Sequence, residues 1–393
     1  VFLTNDQYQG LHNLERWYYK STHQIIEISG VTGTGIWQLL QNFIDNVELQ
    51  QREIMYLSYD QHQVLNLAYK RYHAYYINSI IYNYTRIVDF DTLPVINSYS
   101  KAIEYEWKKS VRKKIDPRYK LIIVFDSMLL NVETVTDLAS FGLPIILIRD
   151  PMLLPVPDTY TFLRDANIIL REAHPDLSRN PLVYFAHKVL NNEKWKIGTY
   201  DNVSIVPRKQ MNLYNLRSSE MIITLSDVLS DQVNRLYRER ILKRQNIINV
   251  VGERLIVMNN LYKHKLVNKT EKKVKVFLTK GTVGTLTKCN HHVLNTKYVP
   301  IDFKPQFYDE SFDDLVMDRH YLNNIEFNSR QIIPDETILF KYAYALPVPL
   351  TRVSHWDKVT LITDPNEEYD DELQKRLIYT AITRAKRMLT IIT

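Results

Sequence analysis

Ile25-Ile26-Glu27-Ile28-Ser29-Gly30-Val31-Thr32-Gly33-Thr34-Gly35-Ile36-Trp37 is a β-branched apolar run that breaks into a glycine loop. Trp37-Gln38-Leu39-Leu40-Gln41-Asn42-Phe43-Ile44 follows at helical spacing, so the stretch reads as strand, loop, helix. In that setting glycines let backbone N–H groups close on phosphate at the positive end of a helix. The pattern G-x-x-x-x-G-K-[ST] asks for a lysine after the last glycine and then a Ser or Thr for Mg²⁺. Ile36 and Trp37 occupy those two places. The loop is present without its charge chemistry.

A chain of 393 residues suits two or three domains. The net charge of +6 permits a polyanionic partner without requiring one. Cys289 is the single cysteine, which rules out an internal disulfide framework and fits a reducing intracellular compartment, cytoplasm, nucleoid or nucleus. There is no apolar run of about 18 residues, so no membrane partner is expected. Nine glycines against 27 tyrosines fit erosion of ligand loops, and fit AT-rich coding sequence equally well.

Outward from the loop, Leu3-Thr4-Asn5-Asp6-Gln7 opens a helix, Ile54–Ser58 reads as a strand and Gln63–Ile81 as one helix. Leu121–Asp126 and Pro144–Ile148 are short apolar runs of the buried parallel type. Met221–Leu225 is a further strand, and Ser226 precedes a helix through Ile241. Glu253–Met258, Lys273–Phe277 and Gly281–Leu286 are short β pieces with turn signals. The α/β pattern resumes at Val359–Ile362 and ends with a helix from Glu372 to Arg387 and a strand from Leu389. The expected architecture is two doubly wound, RecA-like parallel-sheet lobes. The first spans 1–165 with a small insert at about 83–115; the second spans 166–247 and 336–393, with a β-rich, SH3-like insert at 248–335.

In this order the segments resemble superfamily 1 DNA helicases of the 5′-to-3′ branch, the family of the RecD and Dda helicases. Asn5-Asp6-Gln7 sits where the family's Q motif reads adenine. Gly252–Asn260 resembles its G-D-R-V-M-V-x-x-N stretch and Lys280–Leu286 its N-G-x-x-G-x-I turn. Tyr379-Thr380-Ala381-Ile382-Thr383-Arg384-Ala385-Lys386 matches Y-x-A-[LI]-T-R-A-K almost letter for letter. The resemblance implies ATP-driven DNA translocation, with Arg384 as arginine finger and Gln7, Gly30, Gly33, Thr34 and Gly35 around the nucleotide.

The family's other chemical residues are replaced. Val124 and Phe125 stand for the Asp and Glu of the D-E-A-S-M motif, leaving Asp126 in the alanine slot. In Arg149-Asp150-Pro151-Met152-Leu153-Leu154-Pro155 the aspartate of G-D-P-x-Q-L-P survives, and Leu153 replaces the phosphate-sensing Gln. Pro175 replaces the arginine of L-T-E-V-x-R, and Pro347 and Pro349 remove N–H donors from a loop that touches DNA phosphates in the family. Losing one preorganised donor costs roughly 100- to 1000-fold in rate, and phosphoryl transfer depends almost wholly on such positioning. No intact catalytic set is therefore expected, only the remnants Arg384, Asp150 and Asp126. Arg384 is expected to pair with Asp150 or Asp126, and Trp37 to plug the former metal and phosphate space.

No metal site and no resident cofactor are expected; Mg-ATP enters only if the chain is a divergent active helicase. The expected partners are proteins of a larger replication, recombination or transcription complex, with DNA, single-stranded for preference, as a further one. Lys108, Lys109, Arg112, Lys113, Lys263, Lys265, Lys272 and Lys275 are candidate phosphate contacts, lying in two basic runs interleaved with Trp107, Tyr119, Tyr262 and Phe277. The same runs also read as solvated faces, which leaves open a pure protein-interaction scaffold. Asp364–Glu372 reads as an acidic solvated loop.

Overall fold

Three of the apolar runs become adjacent parallel strands behind the glycine loop. The computed structural model describes residues 2–59, 61–86, 107–111, 114–155, 166–244, 251–259, 261–267, 272–278, 280–289, 297–306, 311–322, 337–352, 354–363 and 370–393. Its first part runs α1 (Asn5–Lys20), β1 (Ile25–Gly30), α2 (Ile36–Asn46), β2 (Ile54–Ser58), α3 (Gln61–Tyr69), β3 (Ala74–Tyr76) and α4 (Ile77–Ile81). A ribbon of β4 (Tyr82–Arg86) and β5 (Trp107–Val111) follows, then β6 (Leu121–Val124), α5 (Val132–Ala139), β7 (Ile145–Arg149) and β8 (Ile168–Leu170). The sheet order is β3-β2-β6-β7-β1-β8, parallel throughout. Ile28, Leu39, Leu40, Phe43 and Ile123 are buried in its core. Strand β8 pairs with β1, so the first sheet extends past the limit of 165 read from the sequence.

The single helix expected over Gln63–Ile81 is in fact two helices with a strand between them. Tyr72 N–H donates to Leu67 O, and Arg71 takes φ 66°, a left-handed turn that ends a helix. Ala74–Tyr76 then lies parallel to Tyr56–Ser58 as an edge strand.

The chain continues through α6 (Pro175–Ser178), α7 (Pro181–Leu190), β9 (Gly198–Tyr200), β10 (Val203–Val206), α8 (Leu213–Ser218), β11 (Met221–Thr224) and α9 (Asp227–Leu236). The β-rich insert comprises β12 (Arg254–Val257), β13 (Leu261–Val267), β14 (Lys272–Leu278), β15 (Val283–Cys289), β16 (Tyr298–Pro305), β17 (Phe312–Asp318), α10 (Arg319–Leu322), β18 (Thr337–Ile338) and β19 (Phe340–Tyr342). Its main sheet has the order β18-β17-β16-β15-β12-β19 around Leu255, Leu286, Phe303 and Phe340, and β13 and β14 form a separate ribbon. After β20 (Ala345–Pro347) come β21 (Trp356–Ile362), α11 (Asp371–Ile382) and β22 (Ala385–Ile392). Within the second α/β sheet the run β11-β21-β22-β10 is parallel, and β9 lies antiparallel to β10. The fold class is the one expected: two RecA-like α/β lobes with a β-rich insert in the second.

The C-terminal helix is shorter than the expected Glu372–Arg387. It stops at Ile382, and Ala385–Ile392 is strand throughout, because Trp356–Ile362 offers a parallel neighbour along its length.

The chain divides into two compact units, Val1–Asn83 with Lys109–Ser226 and Pro347–Thr393, and Tyr84–Lys108 with Asp227–Leu346. Helix α9 thus goes with the β-rich unit, whereas the sequence limits put it in the second lobe. Buried Asn234 explains this: its Nδ2 donates to Tyr342 O (3.2 Å) and Ala345 O (2.9 Å), and its Oδ1 accepts from Tyr344 N (3.0 Å) and Ala345 N (2.8 Å).

A candidate nucleotide site at the glycine loop

All residues discussed around the loop lie in the first compact unit. Gly30 ends β1 and Gly35 begins α2 with φ 74°, which only glycine adopts readily. Gly33 has φ 89°, and a Cβ there would lie 2.4 Å from Val183 Cγ1 on α7. A Cβ on Gly35 would lie 2.4 Å from Gln7 Nε2. Both glycines are therefore required by the protein's own side chains.

Gln7 is fully buried. Its Nε2 donates to Thr34 O (3.0 Å) and Gly35 O (2.8 Å), while its Oε1 accepts from Thr4 N (2.9 Å) as half of a capping box. The residue aligned with an adenine reader here ties α1 to the loop. Buried Thr34 turns its hydroxyl back onto Val31 O (2.8 Å).

The Thr32 peptide is held on both sides. Its N–H donates to Tyr379 Oη (2.8 Å) and to Asp150 Oδ2 (3.1 Å), and its carbonyl lies 2.8 Å from His187 Nε2. Tyr379 O–H donates to Asp150 Oδ2 at 2.5 Å, and Asp150 Oδ1 accepts from Met152 N (2.9 Å). Burial pushes the Asp150 carboxyl up to about 6, against the opposing hydrogen bonds of Tyr379 and Met152 and the charge of Arg384. Burial and the neighbouring Asp150 lift the Tyr379 phenol well above its ordinary range. The carboxylate sits on a loop N–H, the kind of donor that binds phosphate in such loops.

Arg384 is buried and donates from Nε to Thr380 O (3.1 Å), from Nη2 to Thr383 Oγ1 (3.1 Å) and from Nη1 to Arg352 O. Of its two expected acid partners, Asp150 takes its short hydrogen bond from Tyr379 and feels Arg384 as a charge. Asp126 has φ 51° and leads into the short turn Ser127–Leu129, where its backbone carbonyl accepts from Leu129 N (2.9 Å). His355 is held well below the usual imidazole range by burial and by the charges of Arg384 and Lys386.

Two of the positions whose expected chemical residues are replaced, Trp37 and Phe125, carry stacked rings. Trp37 and Phe125 have centroids 6.0 Å apart with planes at 30°, and Phe125 stacks on Tyr56 at 6.3 Å and 15°. Tyr72 meets Trp37 edge-on at 5.6 Å. Together with Ile36 these side chains extend the first-sheet core.

The basic candidates lie elsewhere. Arg112 and Lys113 are outside the described residues, as are residues 364–369 of the acidic run. Lys108 and Lys109 belong to β5. On the β13–β14 ribbon, Lys263 pairs with Val276, Lys265 with Val274, Lys272 with Val267 and Lys275 with His264. Sequence reasoning named Asp150 and Arg384 but missed Tyr379 as the bonding partner, although it opens the best-matched motif. Nothing in the sequence signals His187 or Val183, which reach the loop only through the packing of α7.

No family model matches the chain, and no curated protein matches it. Among solved structures the chain is similar over its whole length to the Pif1 helicase from Bacteroides in complex with ADP-AlF3 and ssDNA, at 12% identity over 92% of that chain with a TM-score of 0.46. It is similar likewise to the Pif1 helicase from Candida albicans, at 12% identity over 95% of that chain with a TM-score of 0.42. A PRRSV helicase matches 98% of this chain and 54% of its own at 10% identity, with a TM-score of 0.36.

Proposed function

We propose that this chain is a helicase-fold protein that acts without ATP hydrolysis, as a nucleic-acid-binding or structural subunit of a replication, recombination or transcription assembly. The observation that carries the reading is the filling of the nucleotide place by the protein itself. Asp150 and Tyr379 take the Thr32 N–H, and Trp37 stacks on Phe125. A triphosphate entering there would meet a carboxylate and apolar rings in place of a lysine and a metal, and unneutralised charge beside apolar surface is costly. On this reading Gln7, Gly30, Gly33, Thr34 and Gly35 are an architectural turn, and Arg384, Asp150 and Asp126 are remnants of the family's chemistry.

Calorimetry with a non-hydrolysable ATP analogue and Mg²⁺ tests this, and no binding heat is expected. Micromolar affinity would favour the active-helicase alternative. Titration of single-stranded DNA at several salt concentrations separates a nucleic-acid role from a protein scaffold. If the lysine candidates contact phosphates, log K falls with log salt at roughly −0.7 per contact; absence of binding at low salt leaves the scaffold.

A further inference from the structure

We propose that the Thr32 peptide is a clasp fixing the two RecA-like lobes to one another, with Asp150 as a tethered anion where a free oxyanion would have to bind. Thr32 belongs to the first lobe. Its N–H is taken by Tyr379 of α11 and its carbonyl by His187 of α7, and α7 packs against α11 and β22 of the second sheet. Asp150, at the end of β7, bonds both the loop N–H and the Tyr379 hydroxyl, so one carboxylate joins both sides. The contacts beside it follow the same path. Gly33 O accepts from His174 N (2.8 Å), Leu154 N donates to Thr380 Oγ1 (2.8 Å), and Arg376 Nη1 donates to Pro151 O (2.8 Å). Breaking such a joint exposes buried polar groups without partners. A tethered carboxylate also holds its place at a high effective concentration against any free anion. The inference rests on the reading that the loop holds no nucleotide.

Hydrogen–deuterium exchange on the full chain tests it. In the wild type the segment 31–36 exchanges slowly, and inorganic pyrophosphate leaves that rate unchanged. Asp150→Ala speeds exchange there by roughly 10- to 100-fold, as loss of a hydrogen bond to a charged group implies. Helix α11 loosens with it, while β15 in the β-rich unit does not change. Exposed-loop exchange in the wild type, an effect of pyrophosphate on it, or loosening of the loop without α11 would each overturn the clasp. If Asp150→Ala also loosens β15, Tyr379→Phe, which removes one hydroxyl, is judged by the same criteria. ATP turnover would remove the underlying reading, whereas a fast loop without turnover would remove the clasp alone.

Discussion

Asp150 carries a measurable pH signature. Its carboxyl is raised from an ordinary 3.8 to about 6, mainly by burial. Between those values the folded protein binds this proton more tightly than the unfolded chain. The residue's contribution to stability therefore rises as pH falls through about 6 and is complete below about 4. Above about 6 the buried charge costs on the order of 3 kcal/mol. Asp150→Asn keeps an acceptor for Thr32 and Tyr379 without the charge. Its urea midpoint is expected to lose that component of the pH dependence, which is checked by unfolding at about pH 4 and about pH 7. A wild type and variant with parallel pH profiles would show that burial does not shift this group.

At the scale of elements, the loop and the aromatic cluster make separate predictions. Gly33→Ala puts a Cβ 2.4 Å from Val183 Cγ1 at φ 89° and is expected to destabilise by about 1–3 kcal/mol. Adding Val183→Ala should recover the steric part of that loss, measured as a shift in thermal midpoint. Trp37→Ala removes the ring between Phe125, Tyr56 and Tyr72 and is expected to cost about 3 kcal/mol. In the β-rich unit, Asn234→Ala strips partners from Tyr342, Tyr344 and Ala345, at about 2–4 kcal/mol by denaturant unfolding. The same scale shows where sequence reasoning reaches. Ile54–Ser58 reads correctly as a strand because a short β-branched and apolar run is a local signal. The breaks at Arg71 and Ile382 do not, since a left-handed residue and an available parallel neighbour are facts of tertiary structure. Asp150 and Arg384 are legible because motifs mark them. The peptide gripped by Tyr379 and His187 is not, because those partners lie far along the chain and meet only when the lobes pack.

For the whole molecule, the proposed function requires a kept fold without nucleotide turnover. Restoring two letters with Ile36→Lys and Trp37→Ser is not expected to restore turnover, because Phe125, Leu153 and the Asp150–Tyr379 contact remain in place. The most direct measurement is phosphate release from Mg-ATP by the wild type and by Arg384→Ala, with and without single-stranded DNA. The same background rate is expected in all four conditions. DNA-stimulated release by the wild type that Arg384→Ala abolishes would contradict the proposed function.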